Sequence, residues 1–328
     1  MREVAYLTVA DVDSAIAALG AHENAMLLAG GTNVVDYLRA GVISPSVLID
    51  ISAVPLTGVH ADEAGFTIGG LARMSDVAAH PGMRAFFPVV SQALELSASA
   101  QLRNMATIGG NLMQRTRCGY FREPGFACNK RTPGSGCAAR DGLNRPHAVL
   151  GGSGHCVATH ASDLAVALAA LDAALHLQGP AGTRQVALYG FYRMPGDTPQ
   201  LENELQPAEM IVQITSAGAP GAAGSHYLKV RERASYEFAV VSVAAVVHAP
   251  GGIIETARIA FGGVGTVPWR DHAAERALTG VGADDTHALR SAADAALAGA
   301  EPLAHNGFKV EMGRRALVRA VQIAAGVR

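Results

Sequence analysis

The sequence predicts an α+β protein built from two units, because the pattern of strands and helices changes along the chain. In the first ninety residues, short strand-like segments alternate with helical ones, at residues 4–7, 12–19, 25–28, 47–51 and 65–68. In the last hundred, strand-like segments come first and two helical patterns follow, at residues 227–231, 239–248, 257–262, 285–298 and 308–325. Residues 217–225 are rich in Gly, Ala and Pro, which is typical of a linker. We therefore expect units at residues 1–220 and 221–328.

Several elements of the first unit carry local start signals. Asp11 is a plausible N-cap of the helix at residues 12–19, and the strand at residues 25–28 runs into a Gly30-Gly31 turn. The other predicted elements are a helix opening at Met74, a helix at residues 89–99, an alanine-rich helix at residues 164–173 capped by Asp163, and strands at residues 185–188 and 210–214.

Composition argues against several functional classes. With 328 residues, 49% hydrophobic and 16% charged, and a formal net charge of −2, the chain is typical of a globular protein, and so balanced a charge indicates no particular class of partner. Only 5% of the residues are aromatic, which argues against a stacking surface for nucleic acid. No run of eighteen apolar residues predicts a membrane span, and no charged-then-apolar leader is expected at the start.

Two glycine pairs are the first candidate binding elements. They lie in the segments Ala29-Gly30-Gly31-Thr32-Asn33-Val34 and Ala106-Thr107-Ile108-Gly109-Gly110-Asn111-Leu112. A Gly-Gly turn flanked by Thr and Asn lets the backbone approach an anion and present N–H groups to it. Each pair alone is a weak signal, since paired glycines commonly serve a plain turn. Together they predict a phosphate-binding site.

All four cysteines lie in one long loop. Cys118, Cys128, Cys137 and Cys156 are separated by nine, eight and eighteen residues, so they converge only if the loop folds around something. Disulfides and buried free thiols are alternatives, but the neighbours are Gly, Pro, Arg and Asn rather than a periodic apolar segment. Zinc sites usually contain a close pair such as C-x2-C, whereas a larger cluster accepts scattered thiolates. The spacing therefore favours a [4Fe-4S] cluster over zinc.

The cysteine loop is also strongly cationic. Between Arg115 and Arg145 it holds seven basic residues against two acidic ones. We expect this excess of positive charge to offset the charge of bound thiolates. The nearby His147, His155 and His160 are expected to be solvated or structural rather than ligands.

These motifs resemble a known family. The AGGTN and TIGGN segments, ASDLAVALAALDA around Asp163 and LKVRERASYEFAVVSVAA from Leu228 look like the FAD-binding medium subunit of molybdenum hydroxylases, the xanthine dehydrogenase family. The four-cysteine insertion is most similar to the [4Fe-4S]-containing flavin subunits of bacterial periplasmic-type aldehyde oxidoreductases. The resemblance implies a two-subdomain FAD-binding domain of the PCMH/VAO-like type, with residues 114–160 as the cluster insertion. A C-terminal domain of antiparallel sheet and helices, like that of CO dehydrogenase flavoproteins, would follow.

The resemblance also implies site residues, cofactors and partners. The cofactors are FAD and a [4Fe-4S] cluster, the latter on Cys118, Cys128, Cys137 and Cys156, and no residue here is catalytic towards the substrate. The partners are a large subunit with molybdenum cofactor, a small [2Fe-2S] subunit and an external electron acceptor. The residues expected at the FAD are Met26, Leu27, Leu28, Ala29, Gly30, Gly31, Thr32, Asn33, Val34, Thr107, Ile108, Gly109, Gly110, Asn111, Asp163 and Lys229.

Some alternatives stay open at this point. Asp163 could be only an N-cap, and Lys229 could be a solvated strand lysine instead of reaching the flavin. A stand-alone flavin oxidoreductase and a zinc-stabilised binding module are the alternative functions. Without a leader of its own, the chain would be periplasmic by co-export with a partner, or cytoplasmic. The aldehyde, the acceptor and the role of the cluster are not encoded in any motif.

Overall fold

The computed structural model describes residues 3–327, which form three sheets with helices packed on them. This mixture of helices and sheets confirms the predicted α+β class. Apolar side chains collect into three clusters, of which the largest combines the second sheet, its helices and part of the third sheet. Within residues 3–327, no helix is long and apolar enough to cross a membrane.

The first sheet is parallel and three-stranded. Its strands lie in the order β1-β3-β2, and helices connect them as the alternating sequence pattern predicts. The elements are β1 (Ala5–Thr8), α1 (Val12–Ala21), β2 (Ala25–Leu28), α2 (Val34–Arg39) and β3 (Val47–Asp50).

The second sheet is antiparallel and has five strands in the order β4-β5-β8-β6-β7. Its strands are β4 (Val59–Asp62), β5 (Gly65–Gly69), β6 (Ala174–Gly179), β7 (Gly182–Ala187) and β8 (Met210–Ala217). Seven helices lie between β5 and β6: α3 (Met74–Ala79), α4 (Pro81–Phe86), α5 (Pro88–Glu95), α6 (Ala100–Arg103), α7 (Ile108–Leu112), α8 (Gly119–Arg122) and α9 (Asp163–Ala170).

The third sheet is antiparallel and four-stranded, in the order β12-β11-β10-β9, and helices cover it. Its strands are β9 (His226–Val230), β10 (Val241–His248), β11 (Thr256–Gly262) and β12 (Trp269–Arg270). The helices are α10 (His272–Leu278), α11 (Thr286–Ala296) and α12 (Phe308–Ala324). The predicted sequence of strands followed by two long helices is confirmed here.

Helix α9 joins the second and third sheets. All eight of its residues are buried, and it contacts α5 on one side and strands β10 and β11 on the other. An alanine-rich helix suits this place because small side chains let neighbouring elements approach closely. The position of Asp163 is therefore fixed by packing from several sides.

Two local predictions about helices are wrong. Ser162 caps α9, accepting from the backbone N–H of Ala165 at 3.0 Å, and Asp163 is instead the first residue of the helix. The helix expected at residues 89–99 ends at Glu95, and a separate short helix begins at Ala100. By contrast, Asp11 does cap α1, since its carboxylate accepts from Ser14 N at 2.7 Å. The weak β-propensity of VHAD left strand β4 unpredicted.

Candidate functional site

A cavity of about 640 Å³ lies between the first and second sheets. Its volume falls in the range of small-molecule and cofactor pockets, roughly 300–1,000 Å³. Most of the residues expected at a cofactor line it, namely Met26, Leu27, Ala29, Gly30, Gly31, Thr32, Asn33, Val34, Thr107, Gly109 and Gly110. We call this space the first cavity.

The first glycine pair is held by close main-chain packing. A Cβ atom on Gly30 would lie 1.7 Å from the carbonyl oxygen of Met105, so only glycine fits there. Gly31 has a φ of +73°, in the left-handed region that favours glycine. Within residues 3–327, the backbone N–H groups of Gly30, Gly31, Thr32 and Asn33 donate to no protein acceptor. Such a run of free donors in a turn forms a concave anion-binding surface.

The second glycine pair lies inside helix α7 rather than in an open turn. Thr107 caps the helix, and its hydroxyl oxygen accepts from Gly110 N at 3.2 Å. Gly109 N donates to the carbonyl oxygen of Gly70 at 2.8 Å, and a Cβ on Gly109 would lie 2.9 Å from that same oxygen. The expectation that both pairs present free N–H groups is therefore wrong for the second pair.

Asn33 connects the two glycine pairs. Its Nδ2 donates to the carbonyl oxygen of Gly110 at 3.2 Å, and its Oδ1 accepts from Arg117 at 2.6 Å. Thr32 and Asn33 also line a second cavity of about 600 Å³, which extends towards Asp163. The two cavities thus meet at the first glycine turn, so an elongated ligand with an anionic middle matches the site.

A buried network holds Asp163 at the wall of the second cavity. Its carboxylate accepts from Lys229 Nζ at 2.8 Å, from Ser97 Oγ at 2.9 Å and from the Tyr227 hydroxyl at 2.7 Å. With its proton on Asp163, the Tyr227 hydroxyl oxygen accepts from Ser242 Oγ at 2.8 Å, and burial raises the pKa of Tyr227 well above the usual value. Because its polar atoms are partnered, this buried charge pair is tolerated and fixes the Asp163 carboxylate rigidly.

Lys229 is placed differently from either of its expected roles. Its side chain is only 1% exposed, so the solvated alternative is wrong. It lines neither cavity, and its Nζ is bound to Asp163 and the carbonyl oxygen of Leu96. Lys229 therefore positions the Asp163 carboxylate across the contact between β9 and α9.

The remaining expected residues separate into two groups. Asn111 lines the second cavity, and its Oδ1 accepts from Ser162 Oγ at 2.6 Å. Leu28 and Ile108 line neither cavity, and Ile108 is fully buried in the apolar core. They are chain neighbours of cavity residues whose side chains face the opposite way.

All four cysteines line one small cavity inside the loop of residues 114–160. Cys128 and Cys137 pair across an isolated antiparallel bridge, and all four are free thiols, so the disulfide alternative is not realised. Within residues 3–327, no three or more His, Cys, Asp or Glu residues are grouped closely enough to hold a single metal ion. A larger cluster remains compatible with this donor set.

Burial disfavours the thiolate form of two of the four cysteines, Cys118 and Cys156. Burial raises the pKa of Cys118 to about 11, against the opposing effect of the backbone N–H groups of Phe121 and Tyr120. Burial also raises the pKa of Cys156, while the charge of Lys130 lowers it. Metal binding in this cavity would therefore release protons.

The arginine side chains of the loop form hydrogen bonds with carboxylates and backbone carbonyls. Asp36 accepts from Arg122 at 2.7 and 2.8 Å and from Arg117 at 3.1 Å, which fastens the loop to α2. The other guanidinium groups pair with Glu202, Glu232 or backbone carbonyls, in the cases of Arg115, Arg131, Arg140 and Arg145. None of these bonds reaches a cysteine sulfur, and the expectation that arginine charge offsets the thiolates stays a prediction.

Sequence reasoning missed several residues of the site. Ser97 and Tyr227 hold Asp163 but are distant in sequence, and no spacing rule joins them. Asp36 lies three residues after the Asn33 cap position and could have been found as the acidic residue on the first turn of α2. Of the two expected roles of His147, solvated or structural, the solvated one is wrong, because the residue is buried and contacts Cys118 Sγ at 3.1 Å.

Comparison with known families accounts for both parts of the chain. The FAD binding domain in molybdopterin dehydrogenase matches residues 2–215. The CO dehydrogenase flavoprotein C-terminal domain matches residues 226–324. These ranges contain the two glycine pairs and the Asp163 network.

Individual proteins agree with the family match. The chain is 45% identical over 296 residues to the aldehyde oxidoreductase FAD-binding subunit PaoB of Escherichia coli, covering 89% of each. It is 26% identical to the glyceraldehyde dehydrogenase medium chain of Sulfolobus acidocaldarius, covering 85% of this chain and 82% of that one. A chain of carbon monoxide dehydrogenase from Hydrogenophaga pseudoflava superposes with a TM-score of 0.77 at 26% identity, covering 99% and 98%. The chain therefore belongs to the family of FAD-binding subunits of molybdopterin dehydrogenases, which confirms the resemblance found in its motifs.

Proposed function

We propose that this chain is the electron-transferring flavin subunit of a molybdenum-dependent aldehyde oxidoreductase. The 45% identity to an aldehyde oxidoreductase FAD-binding subunit supports the substrate class. The observation that carries the cofactor assignment is the run of free N–H groups from Gly30 to Asn33 where the two cavities meet. These donors would hold the pyrophosphate of FAD.

The other side chains would orient the cofactor. Asp163 presents a fixed carboxylate to the second cavity, and the hydrogen bond from Lys229 holds that carboxylate in place. Asn111 and Thr107 add polar groups to the cavity walls. Bound FAD supplies one-electron and two-electron transfer, which lets it connect iron–sulfur centres to a two-electron acceptor.

In this proposal no residue of the chain contacts the aldehyde. Aldehyde oxidation belongs to a large subunit that holds the molybdenum cofactor, and a small [2Fe-2S] subunit delivers the electrons. An external acceptor then takes them from this chain. The domain boundary near residue 220 and the compartment, periplasmic by co-export or cytoplasmic, are parts of the same proposal.

We further propose that Cys118, Cys128, Cys137 and Cys156 hold a [4Fe-4S] cluster. Their convergence on one cavity and their free thiol state support this proposal, and the spacing of the four cysteines favours a cluster over zinc. The positive charge of Lys130 lowers the pKa of Cys156 and so favours its thiolate form, which is the form that binds a metal. The insertion would therefore be a second cofactor site beside the flavin.

The cluster is tested by iron, acid-labile sulfide and zinc analysis of anaerobically purified protein. We expect about four irons and four sulfides per chain, in line with four thiolate ligands. Each single Cys→Ser change should lose the cluster to a similar degree. Leu143→Ser is the matched control, because Leu143 lies in the same loop and is 77% exposed. If the protein contains stoichiometric zinc and no acid-labile sulfide, the cluster assignment is wrong and the four cysteines form a structural zinc site.

The function is tested by separating the chain from its partners. The purified chain should contain FAD, and aldehyde alone should not bleach the flavin. Addition of the molybdenum and [2Fe-2S] subunits should make bleaching depend on aldehyde. Aldehyde-dependent dye reduction by rigorously partner-free chain would show a stand-alone flavin oxidoreductase instead.

A further inference from the structure

His147 contacts the cysteine cavity from outside. Its ring is 2% exposed, and Nε2 lies 3.1 Å from Cys118 Sγ. It is absent from the residues that line the cavity between the four thiols, whereas His155 is among them. His147 therefore sits behind Cys118, where it can contact the sulfur without competing for a metal.

The protein holds this imidazole in one orientation. The backbone N–H of His147 donates to the carbonyl oxygen of Asn144 at 3.0 Å. Its own carbonyl oxygen accepts from Asn306, a fully buried residue just before α12, at 3.1 Å. Contacts from the cysteine loop and from the C-terminal domain thus fix the main chain that carries the ring.

The surroundings also decide which nitrogen carries the proton. Nδ1 is buried and has no hydrogen-bond partner within residues 3–327. A proton on Nδ1 would bury an unpaired donor and turn the Nε2 lone pair towards sulfur, both of which are costly. The favoured tautomer therefore places the N–H on Nε2, facing Cys118.

We propose that His147 is a positioning residue that donates an Nε2–H hydrogen bond to the Cys118 thiolate and thereby raises the reduction potential of the cluster. This inference rests on the proposed cluster assignment. A donor to a ligating sulfur withdraws charge from the ligand and stabilises the more negative, reduced state. Cys118 follows Arg117, which lines the second cavity, so the tuned ligand is the one adjoining the flavin site in the chain.

The potential is measured by redox titration of the reduced-cluster EPR signal in the full-length protein. His147→Phe keeps a planar ring but removes the donor. We expect its electron-uptake equilibrium constant to fall about tenfold, the usual scale for a hydrogen bond to a charged group, which is about 59 mV for a one-electron couple. His147→Gln, which retains an N–H donor, should recover part of this shift, and bound FAD should stay stoichiometric in both variants.

His155→Phe is the matched control. His155 lines the thiol cavity, but its side chain is half exposed and pairs with Asp197 at 3.4 Å, so the potential should not change. A His147→Phe potential equal to that of wild type and His155→Phe would overturn the inference while leaving the cluster intact. If the wild-type protein contains no acid-labile sulfide, the cluster assignment itself is wrong.

A measurement on the His155→Phe protein covers the case in which His147→Phe fails to assemble. With ¹⁵N-histidine incorporated, pulsed EPR of the reduced cluster should show coupling to one histidine nitrogen, through the hydrogen bond to Cys118. The coupling should persist in His155→Phe. Its absence there would contradict the hydrogen bond whatever the behaviour of the His147 variants.

Discussion

The two glycine pairs reach the wall of the same cavity by different routes. At Gly30-Gly31, the chain leaves strand β2 in a left-handed turn, and the N–H groups point to no protein acceptor within residues 3–327. At Gly109-Gly110, the chain is helical, and both N–H groups are already bonded, to Gly70 and to Thr107. The same dipeptide therefore supplies free N–H donors for an anion at one site. At the other it forms part of a helix whose lack of side chains leaves room in the cavity.

The two pairs also differ in what a side chain would meet. At Gly30 an added Cβ strikes a backbone carbonyl, whereas at Gly110 the nearest atom outside the backbone of the helix is the Thr107 hydroxyl oxygen, at 2.9 Å. A backbone atom cannot move aside cheaply, but a hydroxyl can rotate. The first pair is therefore needed both for the packing of the fold and for ligand binding. Gly110 is needed chiefly because a larger residue would fill space in the cavity.

The largest effect is expected for Gly30→Ala. The new Cβ would lie 1.7 Å from the Met105 carbonyl oxygen. The turn after β2 and the segment that leads into α7 must therefore move apart, which we expect to lower the free energy of unfolding by roughly 3 kcal/mol. We expect a lower melting temperature and protein without FAD. Thermal denaturation and flavin absorbance after gel filtration measure both.

Gly20→Ala is the control for this substitution. Gly20 lies in α1 with nothing within 4 Å of an added Cβ, so alanine should stabilise the helix by about 0.5–1 kcal/mol. A Gly30→Ala protein as stable as wild type, with full FAD, would contradict the close packing of the first turn.

An intermediate effect is expected for Gly110→Val. Its N–H is already bonded to Thr107, so binding should suffer through bulk and the disturbed cap alone, by about 2 kcal/mol, or roughly thirtyfold in affinity. Gly110→Ala should therefore be much milder than Gly110→Val. Fluorescence titration of the apoprotein with FAD gives both affinities.

Equal losses in the two Gly110 variants would change the interpretation. The Cβ atom alone would then be enough to weaken binding, which would mean that the Thr107 hydroxyl, 2.9 Å from that atom, cannot move aside. Gly20→Val, in an open position on α1, shows how much of any effect is general helix destabilisation.

The contrast between the pairs was beyond sequence reasoning because it depends on distant contacts. Local pattern predicted strand β2, the turn after it and the capped helix α1, since these follow from neighbouring residues. The N–H of Gly109 is consumed by Gly70, thirty-nine positions away, and no local signal marks that bond. Sequence therefore located both pairs but could not tell which had free donors.

The cysteine loop shows the same limit. The spacing of four cysteines predicted that they converge, and they line one cavity. The ion pairs of the loop arginines with Asp36 and Glu202 could not be predicted, because these two residues lie far outside the loop in sequence. His147, twenty-nine residues after Cys118, had no motif that set it apart from two neighbouring histidines.

The smallest effect, and the most specific, is expected for Gly31→Ala. Its φ of +73° costs alanine about 1–2 kcal/mol, and relief of that strain would rotate the free N–H groups away from the cavity. We expect about tenfold weaker FAD binding with riboflavin affinity unchanged, because riboflavin has no pyrophosphate for those donors to hold. Gly280→Ala carries similar strain at φ +83°, with open space around it and no cavity nearby, so it should match the loss of stability but leave both affinities alone. Equal weakening of riboflavin and FAD in Gly31→Ala would mean that the turn shapes the cavity as a whole and does not bind the pyrophosphate.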